Sequence, residues 1–389
     1  MIAFKLAIRN LIGAGLRTWL NVFVLSLSYV VIIWHQGFLD GWNQEAKHDT
    51  IAWEIGGGEY WHPSYDPFDP FALLDSHGPI PQDINQLVSD KKATPILISQ
   101  GTIYPEGRMI NVLLKGIDSN QTILELPTGP LNQKIDDIPA IIGTRMAKNS
   151  GLKEGSYVTV RWRDANGTFD AQEIQIVGLF KTNVPAVDNN QIWIPLKKMQ
   201  ELMQMPDEAT LVVIQPNQQP VDSGNWQWRD HDYLLADINQ IIKSKSIGGS
   251  IMYIILMALA MLAIFDTQIL SIFKRQREIG THIALGMTRG QVIRLFTIEG
   301  AMHGILAALL AAVYGIPFLA YQAKTGFALP AATDDYGMAL AERIFPTYGV
   351  GLIVGTVVFI LIVVTIISYL PTRRISQMKP TDAIRGKIQ

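Results

Sequence analysis

The sequence predicts an α-helical membrane protein with four transmembrane helices and one α+β extracytoplasmic domain. Three observations point there. Four apolar stretches reach the roughly 20 residues that a bilayer core demands. About 210 residues with strand-like patterning separate the first stretch from the second. Basic residues crowd the two termini and the short link between the second and third stretches. The composition agrees, with 48% hydrophobic and 17% charged residues, rich and poor respectively for a soluble protein.

Taken in order, residues 1–17 place Phe4, Ile8, Leu11 and Ile12 on one helical face, with Lys5 and Arg9 beside it. Two readings stay open: an amphipathic helix on the cytoplasmic face, or an extension of the first span. The first span, 18–38, follows basic residues as a signal peptide would. Its apolar core is too long and lacks a small-x-small cleavage site, so it is read as retained. The extracytoplasmic domain covers 39–250 and the second span 251–273. A cytoplasmic loop (274–292), the third span (293–320), a short external loop (321–347), the fourth span (348–370) and a cytoplasmic tail (371–389) complete the chain. Hydrocarbon offers backbone amides no water, so each span is expected to be helical.

Charge sets the orientation. Residues 1–18, 274–294 and 371–389 hold 13 Lys or Arg against Glu278 and Asp382, whereas Leu39 to Ser250 holds 17 basic and 27 acidic residues. The positive-inside tendency therefore assigns both termini and the 274–294 link to the cytoplasm and the large domain to the outside. A net charge of −2 argues against a nucleic-acid partner. The chain has no cysteine, which excludes disulfides, thiolate metal sites and cysteine nucleophiles.

Within the large domain, an irregular Gly-, Pro- and aromatic-rich region runs from Gly56 to Asp75. Strands are expected at Ile96–Ile98, Asn111–Leu114, Tyr157–Trp162, Ile174–Phe180, Ile192–Ile194 and Leu211–Ile214. Asn166-Gly167 signals a hairpin between two of them. Helices are expected at Pro81–Ser89, Thr144–Ser150 and Leu196–Met203, and from Asp232 the pattern turns helical and runs into the second span.

No catalytic pattern stands out. The chain lacks G-x-x-x-x-G-K-[ST], H-E-x-x-H and G-x-S-x-G, so no enzyme activity and no cofactor are expected on it. His62 and His77 with Asp66, Asp69 and Asp75 could hold a metal, but a solvated acidic loop has the same composition, and no metal is expected. Asp266 and Glu299 are intramembrane polar residues, each near cytoplasmic arginines that invite snorkelling or pairing. Gly300-x-x-x-Gly304 and Gly351-x-x-x-Gly355 are candidate helix-packing pairs. Trp34, Phe38, Met252 and Ile255 are candidate substrate-facing residues at the outer ends of two spans, or else an ordinary interfacial belt.

The most specific stretch runs from Phe273 to Gly300, with Arg277-Glu278-Ile279-Gly280, Ala284-Leu285-Gly286 and Glu299-Gly300. It resembles the region after the second span of MacB/FtsX/LolE-type (type VII) ABC transporter permeases. Leu370-Pro371-Thr372-Arg373-Arg374 and Lys379-Pro380-Thr381-Asp382-Ala383 resemble that family's C-terminal ending. Ile142-Gly143-Thr144 and Ile176-Val177-Gly178-Leu179-Phe180 are similar to its MacB-like periplasmic core domain, and His35-Gln36-Gly37-Phe38 to a segment of lipoprotein-releasing LolC/LolE permeases. Asp266 departs from the family, where Asn is common.

The resemblance implies an inner-membrane permease subunit acting by mechanotransmission. Its partners would be a separate ABC ATPase carrying the ATP and Mg, a second or related permease, membrane lipids, and a lipoprotein or periplasmic adaptor. It also implies a coupling helix to the ATPase built from Arg277, Glu278, Ile279, Gly280, His282, Ile283, Leu285 and Gly286. Lipoprotein release is the leading expectation. Efflux of a drug, peptide or toxin, or control of an external cell-wall hydrolase, are the alternatives.

Overall fold

The computed structural model describes residues 16–274, 281, 283, 286–328 and 343–375. They fall into two compact units: a helical one, with the described residues up to Asn43 and from Ile242 onward, and a sheet-bearing one, Gln44–Ile241.

The chain enters through a long helix α1 (Leu16–Thr50), which a π turn over Ile51–Ile55 closes. The helix runs well past Phe38, where the apolar stretch ends, because the polar sequence that follows contains no proline to stop it. Gly56 then turns the chain at φ 59°, its N–H donating to Ile51 O.

The sheet-bearing unit holds β1 (Glu59–Trp61), β2 (Gly78–Pro79), β3 (Ala93–Ile103), β4 (Ile110–Ile117), β5 (Ile138–Gly143) and β6 (Tyr157–Arg163). It continues with β7 (Phe169–Phe180), β8 (Gln191–Pro195), β9 (Glu208–Ala209), β10 (Leu211–Ile214) and β11 (Gln227–Arg229). Helices α2 (Gln82–Ser89), α3 (Thr144–Ser150) and α4 (Leu196–Met203) lie between them. Nine strands make one sheet in the order β11-β1-β10-β3-β4-β8-β5-β7-β6. β6 also returns to β3, pairing Gly101 with Trp162 and Ile103 with Val160. The strands from β3 round to β6 thus close into a barrel, which removes the exposed edges an open sheet would leave.

Alternation drives this closure. β6 buries Val158, Val160 and Trp162 and exposes the residues between them. In β8, Ile192 and Ile194 join a core with Met146 of α3 and Met199 and Met203 of α4, while Trp193 points to a second core with Ile98, Val177 and Val213. The hairpin expected at Asn166-Gly167 joins β6 to β7: Asp164 Oδ1 accepts from Asn166 N (2.9 Å) and Thr168 N (2.8 Å), and Gly167 takes φ 82°.

The helical unit contains most of α1 together with α5 (Ala236–Lys274), α6 (Arg289–Thr325) and α7 (Val350–Ile375). A short ribbon pairs β12 (Phe327–Ala328) with β13 (Arg343–Ile344). Among the described residues, four helices are long and apolar enough to cross a membrane, over Trp19–Ile55, Ala236–Leu259, Arg289–Thr325 and Val350–Arg373. The fold class is therefore four membrane-spanning helices with an α+β domain between the first and second.

Candidate functional site

The helical unit is built on close backbone approaches. Gly304 of α6 faces α7, and a Cβ there would lie 2.9 Å from Leu361 Cδ2. The Tyr29 hydroxyl of α1 donates to the Gly304 carbonyl (3.4 Å), and Ser26 and Tyr314 share a hydroxyl contact at 3.1 Å. Val30 covers Gly315, where a Cβ would come within 2.7 Å. Small residues thus let three helices meet. Gly300 is buried on the same helix. Gly351 and Gly355 differ: among the described residues nothing lies within 4 Å of where a Cβ on either would stand.

Two glycines outside those pairs matter as much. Gly37 and Gly41 of α1 receive the extended segment Phe345–Tyr348, with the Tyr348 ring against Gly37 and the Phe345 carbonyl filling the space that a Gly41 Cβ would need. Thr347 N donates to Gly37 O (2.9 Å). Their four-residue spacing is the one signal of this role in the sequence. Trp34 and Phe38, candidates for facing substrate or for an interfacial belt, are half-buried and close a ring cluster with Phe327 (centroids 5.8–6.0 Å). Ile255 is exposed on α5, and Met252 lies on the same helix.

The link from α5 to α6 has a defined end. Gly286 adopts φ 97° and its N–H donates to Ile283 O (3.0 Å), a conformation that an L side chain resists. Thr288 then caps α6: its hydroxyl accepts from Gln291 N (3.3 Å), and Gln291 Oε1 accepts from Thr288 N (2.9 Å). Ile283 and Met287 pack on Val292 and Phe296. The Leu-Gly-Met-Thr run is thus a stop signal followed by a start signal. Arg277, Glu278, Ile279, Gly280, His282 and Leu285 of the expected coupling helix lie outside the described residues, as do 1–15 and the tail from 376. Glu299 is buried on α6, and the His303 ring nitrogen lies 2.9 Å from its carbonyl oxygen. Asp266 is exposed on α5. At the far end of α7, Thr372 is buried and shares a 3.4 Å hydroxyl contact with Thr297 of α6.

In the sheet-bearing unit, the two long helices meet the sheet at neighbouring points. The end of α1 is held by Asp49, which accepts from Asn183 Nδ2 (3.1 Å), and by Trp53, stacked on Phe180 at 5.9 Å. Just before α5, the His231 ring nitrogen bonds the Gly56 carbonyl at 2.9 Å. Beside this junction lies a buried polar group that no sequence motif announces. Glu59 accepts from the Trp61 indole, and Lys115 sits 4.9 Å above the Trp193 ring. Burial pushes the Glu59 carboxyl up to about 8, against the pull of the Trp61 hydrogen bond and Lys115. Burial pushes Lys115 down, against nearby Glu54 and Glu59. Gly143 has a similar structural reason: a Cβ would strike Asp188, whose carboxylate accepts from Arg145 N (3.2 Å) and Arg145 Nη1 (2.9 Å).

The five residues weighed as a metal set do not converge. Among the described residues no group of three or more His, Asp or Glu could hold a metal, and His77 instead pairs with Glu208.

Residues 250–380 match the family profile "FtsX-like permease C-terminal". The chain is 22% identical over 249 residues to the lipoprotein-releasing system transmembrane protein LolC of Neisseria meningitidis, covering 58% of this chain and 60% of that one. It is 22% identical over 264 residues to the uncharacterized ABC transporter permease YknZ of Bacillus subtilis, covering 63% and 61%. The chain thus spans about 60% of the length of these curated relatives. Among solved structures, the periplasmic region of MacB from Actinobacillus actinomycetemcomitans aligns with a TM-score of 0.32 and 13% identity, covering 48% of this chain and 94% of that one. Residues 250–380 are thus similar to the C-terminal part of FtsX-like permeases, and the longer matches are to ABC transporter permease proteins.

Proposed function

We propose that this chain is the permease subunit of an ABC transporter, one that receives ATP-driven motion from a separate ATPase and passes it to its α+β domain. The work is extraction or release of a lipid-anchored or hydrophobic substrate. The observation that carries this reading is α5, one uninterrupted helix of 39 residues from Ala236 to Lys274. At about 1.5 Å per residue it is about 58 Å long, more than a bilayer core requires. It begins in the sheet-bearing unit and ends at the α5–α6 link. A rigid helix that joins an ATPase-facing link to an outer domain transmits displacement without needing a polar channel.

The ATPase contact falls to the link, where Glu278 offers a charge and Ile279 and Ile283 offer apolar knobs. Both termini and the link are cytoplasmic in this reading, and the sheet-bearing unit is periplasmic or extracellular. The exposed apolar face of α5, with Ile254, Ile255, Leu259 and Leu262, would receive a second permease, and Asp266 lies on that same helix. Substrate class rests on the named role of the LolC relative and on the scarcity of charge in the spans.

Glu278→Arg combined with Gly280→Leu tests the coupling. The permease should still fold, with its unfolding midpoint within a few degrees of the wild type, but should no longer stimulate its ATPase. Stimulation at the wild-type level would refute the coupling role.

A further inference from the structure

Between His62 and His77 the chain makes a closed surface loop, Pro63–Ser76, whose ends are tied together. The Ser76 hydroxyl donates to Ser64 O (2.9 Å), and His77 pairs with Glu208 where β2 meets β9. The loop is also pinned to the barrel. Gln100 Nε2 of β3 donates to Pro70 O (2.8 Å), Tyr65 packs edge-on against Trp61 (5.0 Å), and Leu73 adds to the core beneath. Such compact loops with joined ends are frequent bearers of function.

What this loop shows to solvent is apolar. The sequence Asp66-Pro67-Phe68-Asp69-Pro70-Phe71 forms two successive turns, with Asp66 Oδ1 accepting from Phe68 N and Asp69 Oδ1 from Phe71 N, each at 2.9 Å. The result displays Phe68 at 77% exposure and Phe71 at 83%, with Leu74 at 42% three residues on. Phe71 is the most exposed large hydrophobic side chain among the described residues. Both rings stand on a backbone already fixed by proline and side-chain bonds, so little further ordering is needed to bury them. Large apolar side chains displayed this openly on a pinned loop mark an interaction surface.

We propose that the Pro63–Ser76 loop is a two-ring docking knob for a soluble protein on the same side of the membrane, one that offers an apolar cleft rimmed by Lys and Arg. Charge selects this occupant. The loop carries Asp66, Asp69 and Asp75 and no basic residue. An anionic lipid surface would repel it, since membrane-binding segments combine apolar side chains with Lys and Arg. A second copy of this domain is an equally poor match, because the segment from Leu39 to Ser250 carries 27 acidic against 17 basic residues. The proposal stands apart from the coupling reading, since it needs neither the α5–α6 link nor the ATPase.

The test places the photo-reactive residue benzoylphenylalanine at position 71 of the full chain, expressed in its own cells and irradiated there. The expected product is an adduct with one soluble protein. That protein, purified, should bind the full chain in nanodiscs. Phe68→Ser with Phe71→Ser should weaken this binding about tenfold or more, as loss of central aromatic anchors does. Asp66→Asn with Asp69→Asn keeps the turns, because Asn makes the same side-chain bond, and should slow association and flatten its salt dependence. An adduct with a second copy of this chain, an adduct with phospholipid, or no adduct at all would overturn the proposal. So would binding that the Asn variants leave unchanged or tighten.

Discussion

Glu59 and Lys115 are two ionisable side chains that the fold takes almost wholly out of water, Glu59 at 5% exposure and Lys115 at 7%. A carboxyl whose folded pKa stands near 8 binds its proton more tightly in the native state than in the unfolded chain, where the value is 4.5. Stability from this group is therefore fully present below about pH 4.5 and is lost as pH rises toward about 8. Lys115, shifted down, works in the opposite sense at higher pH, because the unfolded chain then holds the proton that the native state has released. Glu59→Gln should keep the hydrogen bond from Trp61 and remove the slope between pH 5 and pH 8, a difference on the order of a few kcal/mol. Thermal unfolding of the full chain in detergent, followed across that range, reads it directly. A variant with the same slope as the wild type would show that Glu59 is not the group responsible. This pair was invisible in the sequence, because Glu59 opens a strand of only three residues behind a run of glycines and Lys115 directly follows the apolar run Val112-Leu113-Leu114.

Among the elements, helix contacts separate two kinds of glycine. Gly304→Leu would drive a side chain into Leu361 and part α6 from α7, and a loss of about 2 kcal/mol or more is expected from such overpacking. Gly355→Leu meets open space among the described residues and should leave folding unchanged. If Gly355→Leu nonetheless abolishes assembly with a second permease, measured by the mass of the purified complex, α7 packs between subunits. Long apolar periods made all four helices legible, and the turn glycines and alternation made α2, α3, α4 and most barrel strands legible too. Three features were not. β1 and β11 are too short to show a period, and β5 is buried along nearly its whole length, so Ile138-Pro139-Ala140-Ile141-Ile142 carries no alternation. Closure of β6 on β3 is a long-range pairing that no local pattern encodes. At the candidate site, the Gly286 and Thr288 punctuation could have been read from residue type alone, whereas the seat of Gly37 and Gly41 for Phe345–Tyr348 required the tertiary structure.

For the whole molecule, α1 and α5 are the two helices shared by both compact units, and in the sheet-bearing unit their ends are joined through Gly56 and His231. Motion applied at the α5–α6 link therefore has a continuous backbone route to the barrel. This route does work across a membrane only if the link and the barrel face opposite compartments. Because the chain has no cysteine, single introduced thiols report sidedness without background. Gln219→Cys lies on the exposed surface of the sheet-bearing unit, and Gly290→Cys at the exposed start of α6. A membrane-impermeant maleimide applied to intact spheroplasts should label Gln219→Cys and spare Gly290→Cys until the membrane is opened. Labelling of Gly290→Cys in unbroken spheroplasts would contradict the account.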